Sequence, residues 1–174
     1  SIPLRHRVPT SGYLFREKPL PRNVDKFAIE RYGLSIKQIV AAKEGKDIEL
    51  EDGTILPNSK ITFEAHPPQS YAYCSDTNYS ARLAKMVEGV DMLYHEATYS
   101  AAERKMAKMR GHATTADAAK VAQMAGAGKL LIGHFSSRYK DLEPLLQESR
   151  EIFPATEIAR ERETFTILEN RTKQ

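Results

Sequence analysis

Short apolar runs alternate with polar, turn-rich stretches along this chain, and from Lys60 onward the alternation becomes regular. Runs such as Tyr71-Ala72-Tyr73-Cys74, Asp91-Met92-Leu93-Tyr94 and Leu130-Leu131-Ile132 predict strands at about 71–75, 91–94 and 129–133, with a further one at about 60–64. Between and after them, helical spacing of apolar residues predicts helices at about 79–88, 99–109, 115–126 and 140–152. Thr114 or Thr115 is placed to cap the third helix. Ala118, Ala119, Ala122, Met124 and Ala125 suit a face packed closely on a sheet, with Met in a core role. Two short strands at about 155–159 and 164–168 close the pattern. Strands alternating with helices predict an α/β fold, a mixed sheet with helices on one face.

The front of the chain has a different texture. Residues 2–17 read as strand, turn, strand, with Pro9-Thr10-Ser11-Gly12 supplying turn chemistry and Tyr13-Leu14-Phe15 resuming the apolar run. Asn23 is placed to cap a helix over 24–32 that stops at Gly33. Ser35 with Gln38 forms a capping-box pattern for a helix over 36–44 that stops at Gly45. Ile48-Glu49-Leu50, Asp52-Gly53 and Thr54-Ile55-Leu56 together signal a hairpin. Residues 16–56 therefore read as an arm inserted into the α/β layer.

Composition narrows the class without naming a function. At 174 residues the chain is one domain's worth, and 41% apolar with 28% charged residues is ordinary for a soluble globular protein. A net charge of +3 permits an anionic partner and requires none. The single Cys74 excludes an intramolecular disulfide and fits a reducing compartment. No apolar run approaches the roughly 20 residues of a membrane span, and no signal pattern opens the chain, so a cytoplasmic protein is expected. It starts at Ser1 without Met, within a few residues of candidate ligand His6, and reads as a piece of something longer.

Several apolar runs hand their last residue to a loop as a metal-capable side chain. His6, Asp76 and His134 are far apart in sequence, so only a sheet that aligns strand ends could gather them. Mixed imidazole and carboxylate ligands suit zinc or manganese, and Asp76 could bridge two ions. The alternative for each histidine is a hydrogen-bonded loop residue. Glu96 could orient His112 and support charge on its ring, and such a pair beside a metal could protonate a leaving oxygen. Equally, Glu96 could cap a helix and His112 could bind a loop carbonyl. After His134, Ser136, Ser137 and Arg138 offer hydroxyls and a guanidinium fork for phosphate, or Arg138 forms a structural ion pair.

The segments His6-Arg7-Val8-Pro9-Thr10-Ser11-Gly12-Tyr13, His95-Glu96-Ala97-Thr98, Gly111-His112-Ala113-Thr114-Thr115 and Gly133-His134-Phe135-Ser136-Ser137-Arg138-Tyr139 resemble, in order and spacing, the C-terminal half of ribonuclease Z. That family comprises tRNA 3′-processing endonucleases of the metallo-β-lactamase superfamily, and the resemblance runs over nearly the whole chain. It implies half of an αββα sandwich across residues 1–174, with His6, Asp76 and His134 as zinc ligands and Asp76 bridging two zincs in the complete site. It also implies that Glu96 and His112 assist departure of the 3′ oxygen after attack by metal-activated water, and that Ser136 and Arg138 meet phosphate. The inserted segment takes the place of the family's flexible arm, where basic residues including Arg22, Lys26 and Lys37 would contact precursor tRNA. It lacks the Gly-Pro pair of the common bacterial arm and has Leu34-Ser35-Ile36-Lys37 instead; His66 matches no family position and reads as structural.

The superfamily's His-x-His-x-Asp-His run is absent. The chain is therefore expected to be inactive alone, to hold metal partially or not at all, and to expose an apolar inner sheet face. That face would take up the missing N-terminal half or a second copy, as in a homodimer. Two other readings stay open. One is a different hydrolase of the superfamily, acting on an aryl sulfate or a small phosphodiester. The other is a non-catalytic tRNA- or protein-binding module.

Overall fold

A computed structural model describes residues 1–167. Strand β1 (Ile2–Leu4) pairs antiparallel with β2 (Thr10–Arg16), and the turn lies over residues 5–9. The expected turn residues Thr10-Ser11-Gly12 thus belong to β2. Gly12 is there for close strand packing: a Cβ at this position would stand 2.6 Å from the Tyr73 carbonyl oxygen.

Glu17–Pro68 forms a compact unit of its own. It contains β3 (Asn23–Val24), helices α1 (Lys26–Tyr32) and α2 (Ile36–Lys43), the hairpin β4 (Ile48–Glu49) and β5 (Ile55–Leu56), and β6 (Thr62–Phe63). Helix α1 starts two residues later than expected. Asp25, not Asn23, caps it, because Asn23 is occupied in β3 against Phe63. The Ser35/Gln38 capping box forms as expected. The strand expected at 60–64 pairs with β3 inside this unit and stands outside the main sheet. Ala28, Leu34, Ala42, Ile48, Leu56 and Ile61 make the unit's core. The Asn58 amide donates to the Ala42 and Lys46 carbonyls and so ties α2 to the hairpin.

The chain then builds the rest of the main layer. It runs through β7 (Ser70–Cys74), α3 (Ala81–Met86), β8 (Met92–Glu96), α4 (Arg104–Arg110), α5 (Thr115–Ala125), β9 (Lys129–Gly133), α6 (Glu143–Arg150) and β10 (Thr156–Ile158). The six-stranded sheet has the order β1-β2-β7-β8-β9-β10, antiparallel as far as β7 and parallel from β7 to β10. The expected helix at 99–109 is a short 3₁₀ turn, Ala101–Glu103, followed by α4. Residues 164–167 form no strand, and the last residue expected in that strand, 168, lies outside the described residues.

Alternation along the strands sends Ala72, Cys74, Leu93, Leu130 and Ile132 to one face, where α3, α5 and α6 close the core. Helix α5 suits this position because its buried stripe consists of small residues, chiefly alanine, which lets it lie close to the sheet. Thr114 and Asp117 form its capping box. Met124, expected on that packed face, is half exposed, since at 3.6 residues per turn it falls beyond the edge of the alanine stripe. The opposite face carries an aromatic stripe. Tyr73 stacks on Tyr94 at 4.7 Å and Phe15 on Tyr71 at 6.2 Å, while Tyr13 and Phe15 are 50% and 58% exposed.

Candidate metal centre

The parallel register sets the site. Cys74, His95 and Ile132 lie side by side, and so do Glu96 and Gly133. Glu96, the last residue of β8, and Asp76 and His134, just beyond the ends of β7 and β9, therefore emerge together at the carboxyl ends of three neighbouring strands, where open parallel sheets present their functional groups. Asp76 and His134 both have positive φ, 58° and 60°, a conformation that costs a non-glycine residue on the order of 1 kcal/mol. That backbone turn is what lets side chains at strand ends face one another.

His112 arrives from another direction, on the link between α4 and α5. Gly111 ends α4 with φ 88°, and its carbonyl oxygen accepts a 2.7 Å hydrogen bond from His6 Nδ1. A Cβ on Gly111 would come within 2.7 Å of that same His6 nitrogen. The Tyr99 N–H donates to the Ala113 carbonyl and the Thr115 N–H to the Tyr99 carbonyl, which docks the link alongside the strand ends.

Glu96 is the hub. Its side chain is fully buried and accepts from the Thr77 N–H (2.6 Å), the Thr98 hydroxyl (2.6 Å), the Ala113 N–H (3.1 Å) and His112 Nδ1 (3.0 Å). With both oxygens occupied this way, Glu96 orients His112 and has little capacity left to bind a metal itself. The Thr98 hydroxyl donates to Glu96, so it must accept from His134 Nδ1–H at 2.9 Å. That fixes the His134 tautomer and leaves the Nε2 lone pair facing Asp76 Oδ1, 3.6 Å away. The sequence gives Thr98 no role beyond its place in His95-Glu96-Ala97-Thr98, and only the fold makes it the relay.

Asp76, Glu96, His112 and His134 each offer a ligand-capable atom, and these atoms lie within 4.8 Å of one another. Asp76 Oδ1 stands 3.6 Å from His134 and 3.9 Å from His112, too far for hydrogen bonds. The first spacing is close to the roughly 3.4 Å that separates two ligands of one tetrahedral zinc. An imidazole whose second nitrogen is already hydrogen-bonded is also the usual form of a metal ligand. On these grounds Asp76 and His134 fit a divalent cation.

The other expected residues fall in different places. His6 stands next to the group, its ring 5.1 Å from that of His112, but outside the set of mutually close ligand atoms. His95 points into the helix-side core. Its Nδ1 donates to the Glu96 carbonyl at 2.7 Å, Nε2 has no hydrogen-bond partner among the described residues, and burial holds its pKa below the ordinary histidine value. Arg138 pairs with Glu103 and lies over the Tyr99 ring, which is the structural ion pair left open from sequence. The Ser136 N–H donates to the Thr98 carbonyl. Arg22 donates to Thr62, whereas Lys26 and Lys37 are exposed.

Fold and site together define an α/β chain with a metal-capable cluster at the ends of parallel strands. No family model matches it. Over nearly its whole length the chain is similar to curated proteins named Ribonuclease Z: it is 46% identical over 162 residues to one of Porphyromonas gingivalis, covering 93% of this chain and 53% of that protein. A Ribonuclease Z of Bacteroides thetaiotaomicron is 41% identical over 167 residues, covering 96% of this chain and 53% of that protein. The chain thus spans about half the length of the curated relatives it matches. Among solved structures, human tRNase Z, short form, aligns at 25% identity with a TM-score of 0.44, over 62% of this chain and 37% of that one. Among the described residues, no helix is long and apolar enough to cross a membrane.

Proposed function

We propose that this chain is the C-terminal half of a cytoplasmic, zinc-dependent endoribonuclease that removes the 3′ trailer from precursor tRNA. The observation that carries this reading is the Asp76–His134 pair set against the Glu96–His112 pair, in a chain whose relatives are named Ribonuclease Z. Zinc held by Asp76 and His134, with His6 as a third candidate ligand, would supply Lewis acidity toward the scissile phosphate and an activated water. This chain's own residues do the remaining work. Glu96 fixes the His112 ring through Nδ1 and supports positive charge on it, so that His112 can pass a proton from Nε2 to the departing 3′ oxygen. Thr98 keeps His134 in the tautomer that presents Nε2.

The chain by itself should be inactive, because it supplies one side of the site. Its aromatic face, centred on Phe15, Tyr73 and Tyr94, is proposed to pack on the remaining half of the longer protein or, in the isolated chain, on a second copy. The exposed Lys26 and Lys37 of the inserted unit are proposed to touch the tRNA backbone away from the cut. The test is cleavage of a 3′-extended precursor tRNA by the full-length protein. Asp76→Ala and His112→Ala should each lower kcat by at least about 100-fold. Full activity in both variants would sink the proposal.

A further inference from the structure

Between Ala101 and Thr115 the chain makes an excursion: it runs through the 3₁₀ turn and α4, passes Gly111 and His112, and enters α5. Both ends of that excursion are tied to one atom. Glu148 of α6 accepts on Oε2 from the Ala101 N–H at 2.9 Å and from the Thr115 hydroxyl at 2.5 Å. Neither donor is charged, so the tie requires an acceptor oxygen and not a negative charge.

The end nearer His112 is held most firmly. Thr115 is fully buried and engaged through three atoms. Its N–H donates to the Tyr99 carbonyl at 2.9 Å, its hydroxyl donates to Glu148, and its carbonyl accepts from the buried Ser149 hydroxyl at 3.1 Å. At the other end the Tyr139 phenol oxygen accepts from the Ser100 N–H at 2.9 Å, which steadies the turn that opens the excursion. Helix α6 therefore closes the base of the segment that delivers His112, while Glu148 itself stands outside the metal-capable cluster.

Within the excursion, Glu96 holds the His112 ring at Nδ1 alone. A ring held at one nitrogen can still swing about that contact, so the direction of Nε2 depends on where the backbone stands. The His112 N–H donates to the Ala107 carbonyl at 2.9 Å, which fixes that backbone to the end of α4. The placing of α4 and its link in turn depends on the tied ends.

We infer that Glu148 is a positioning residue for His112: by joining both ends of the excursion at one oxygen, it sets where Nε2 points. This rests on the proton-donor role proposed above for His112. A catalytic group displaced by about 1 Å can cost about 100-fold in rate, so a contact outside the site is able to govern kcat.

The test compares two substrates of the full-length protein: a 3′-extended precursor tRNA, and the same RNA with sulfur replacing the bridging 3′ oxygen at the cut. A thiolate departs without a proton, so the second RNA does not need His112 as donor. Glu148→Ala should lower kcat on the natural RNA by about 10-fold or more, with KM within about 2-fold of the parent. On the sulfur-bridged RNA its loss should stay below about 3-fold, the pattern that His112→Ala should also give. Glu148→Gln retains an acceptor oxygen and should bring kcat back to within about 3-fold of the parent. Should Glu148→Ala fail to fold, Thr115→Val removes only the hydroxyl tie and should lower kcat on the natural RNA by about 3- to 10-fold, with Thr115→Ser restoring it.

Full kcat in Glu148→Ala or Thr115→Val, equal losses on the two RNAs, or a Glu148→Gln as impaired as Glu148→Ala would each overturn the inference. Failure of the endonuclease reading looks different. His112→Ala with full activity, or a protein that cuts no precursor tRNA, would remove that reading and this inference with it. Activity lost in His112→Ala but kept in Glu148→Ala would remove the role of Glu148 alone.

Discussion

Thr98 and Glu96 show how few atoms set the chemistry of this site. The Glu96 carboxylate satisfies two buried backbone N–H groups, a hydroxyl and an imidazole, so Glu96→Ala strands several donors at once. A loss of about 3 kcal/mol or more is expected, read from urea unfolding of the chain; a loss below about 1 kcal/mol would contradict the hub role. Thr98→Val keeps the shape and deletes only the relay between His134 and Glu96. Zinc affinity should fall by about 10- to 100-fold in a competition titration with a chromogenic chelator. Unchanged affinity would remove Thr98 from the account. Glu96 and His112 are recognisable in sequence as a paired carboxylate and imidazole, but Thr98 is not, because its role depends on two partners of which one is His134 from a different strand.

At the scale of elements, close approach decides more than propensity does. Gly12 reads as a turn residue in sequence, yet it sits inside β2, where β7 leaves no room for a Cβ. Gly12→Ala must push against the Tyr73 backbone, which cannot move without parting the strands. It should lower the denaturation midpoint by the equivalent of about 1–3 kcal/mol, whereas a true turn glycine at negative φ would tolerate alanine. Helix α5 is the opposite case. Its alanine stripe, the Thr114–Asp117 capping box and the terminal Gly126 are all local signals, and they place the helix correctly. β6 was visible as a strand but not as a partner of β3, since pairing across nearly forty residues leaves no mark in either run.

For the whole molecule, the unpaired aromatic face sets the behaviour. Sedimentation of the isolated chain should show species larger than a monomer, and Phe15→Asp with Tyr73→Asp should return it to a monomer. A monomeric parent chain at high concentration would rule out the proposed association. The same face governs the alkaline limit of stability. Burial pushes the Tyr71 phenol up to about 12 and raises that of Tyr94 as well. The unfolded chain therefore loses these protons first, from about pH 10, so stability should fall as pH rises from about 10 toward 12 and should be unaffected by these groups below that window. Tyr71→Phe should make the alkaline decline shallower in a chemical-denaturation series, and an unchanged slope would count against the assignment.

The sequence by itself determined the α/β alternation, most helix starts and stops, the inserted unit's hairpin, and the residue types that make up the candidate metal centre. These are legible where capping, periodicity and turn chemistry act over a few neighbouring residues, as at Thr114, Ser35 and Gly33. The tertiary structure decided which of those residues meet. Parallel register brought Asp76, Glu96 and His134 to one edge, two positive-φ turns aimed them inward, and the α4–α5 link delivered His112. The same packing turned His95 into the core, engaged Arg138 with Glu103, and tied Ala101 and Thr115 to Glu148. Side chains so far apart along the chain become neighbours only through strand register, and register is fixed by the burial of a whole sheet face rather than by any local run of residues.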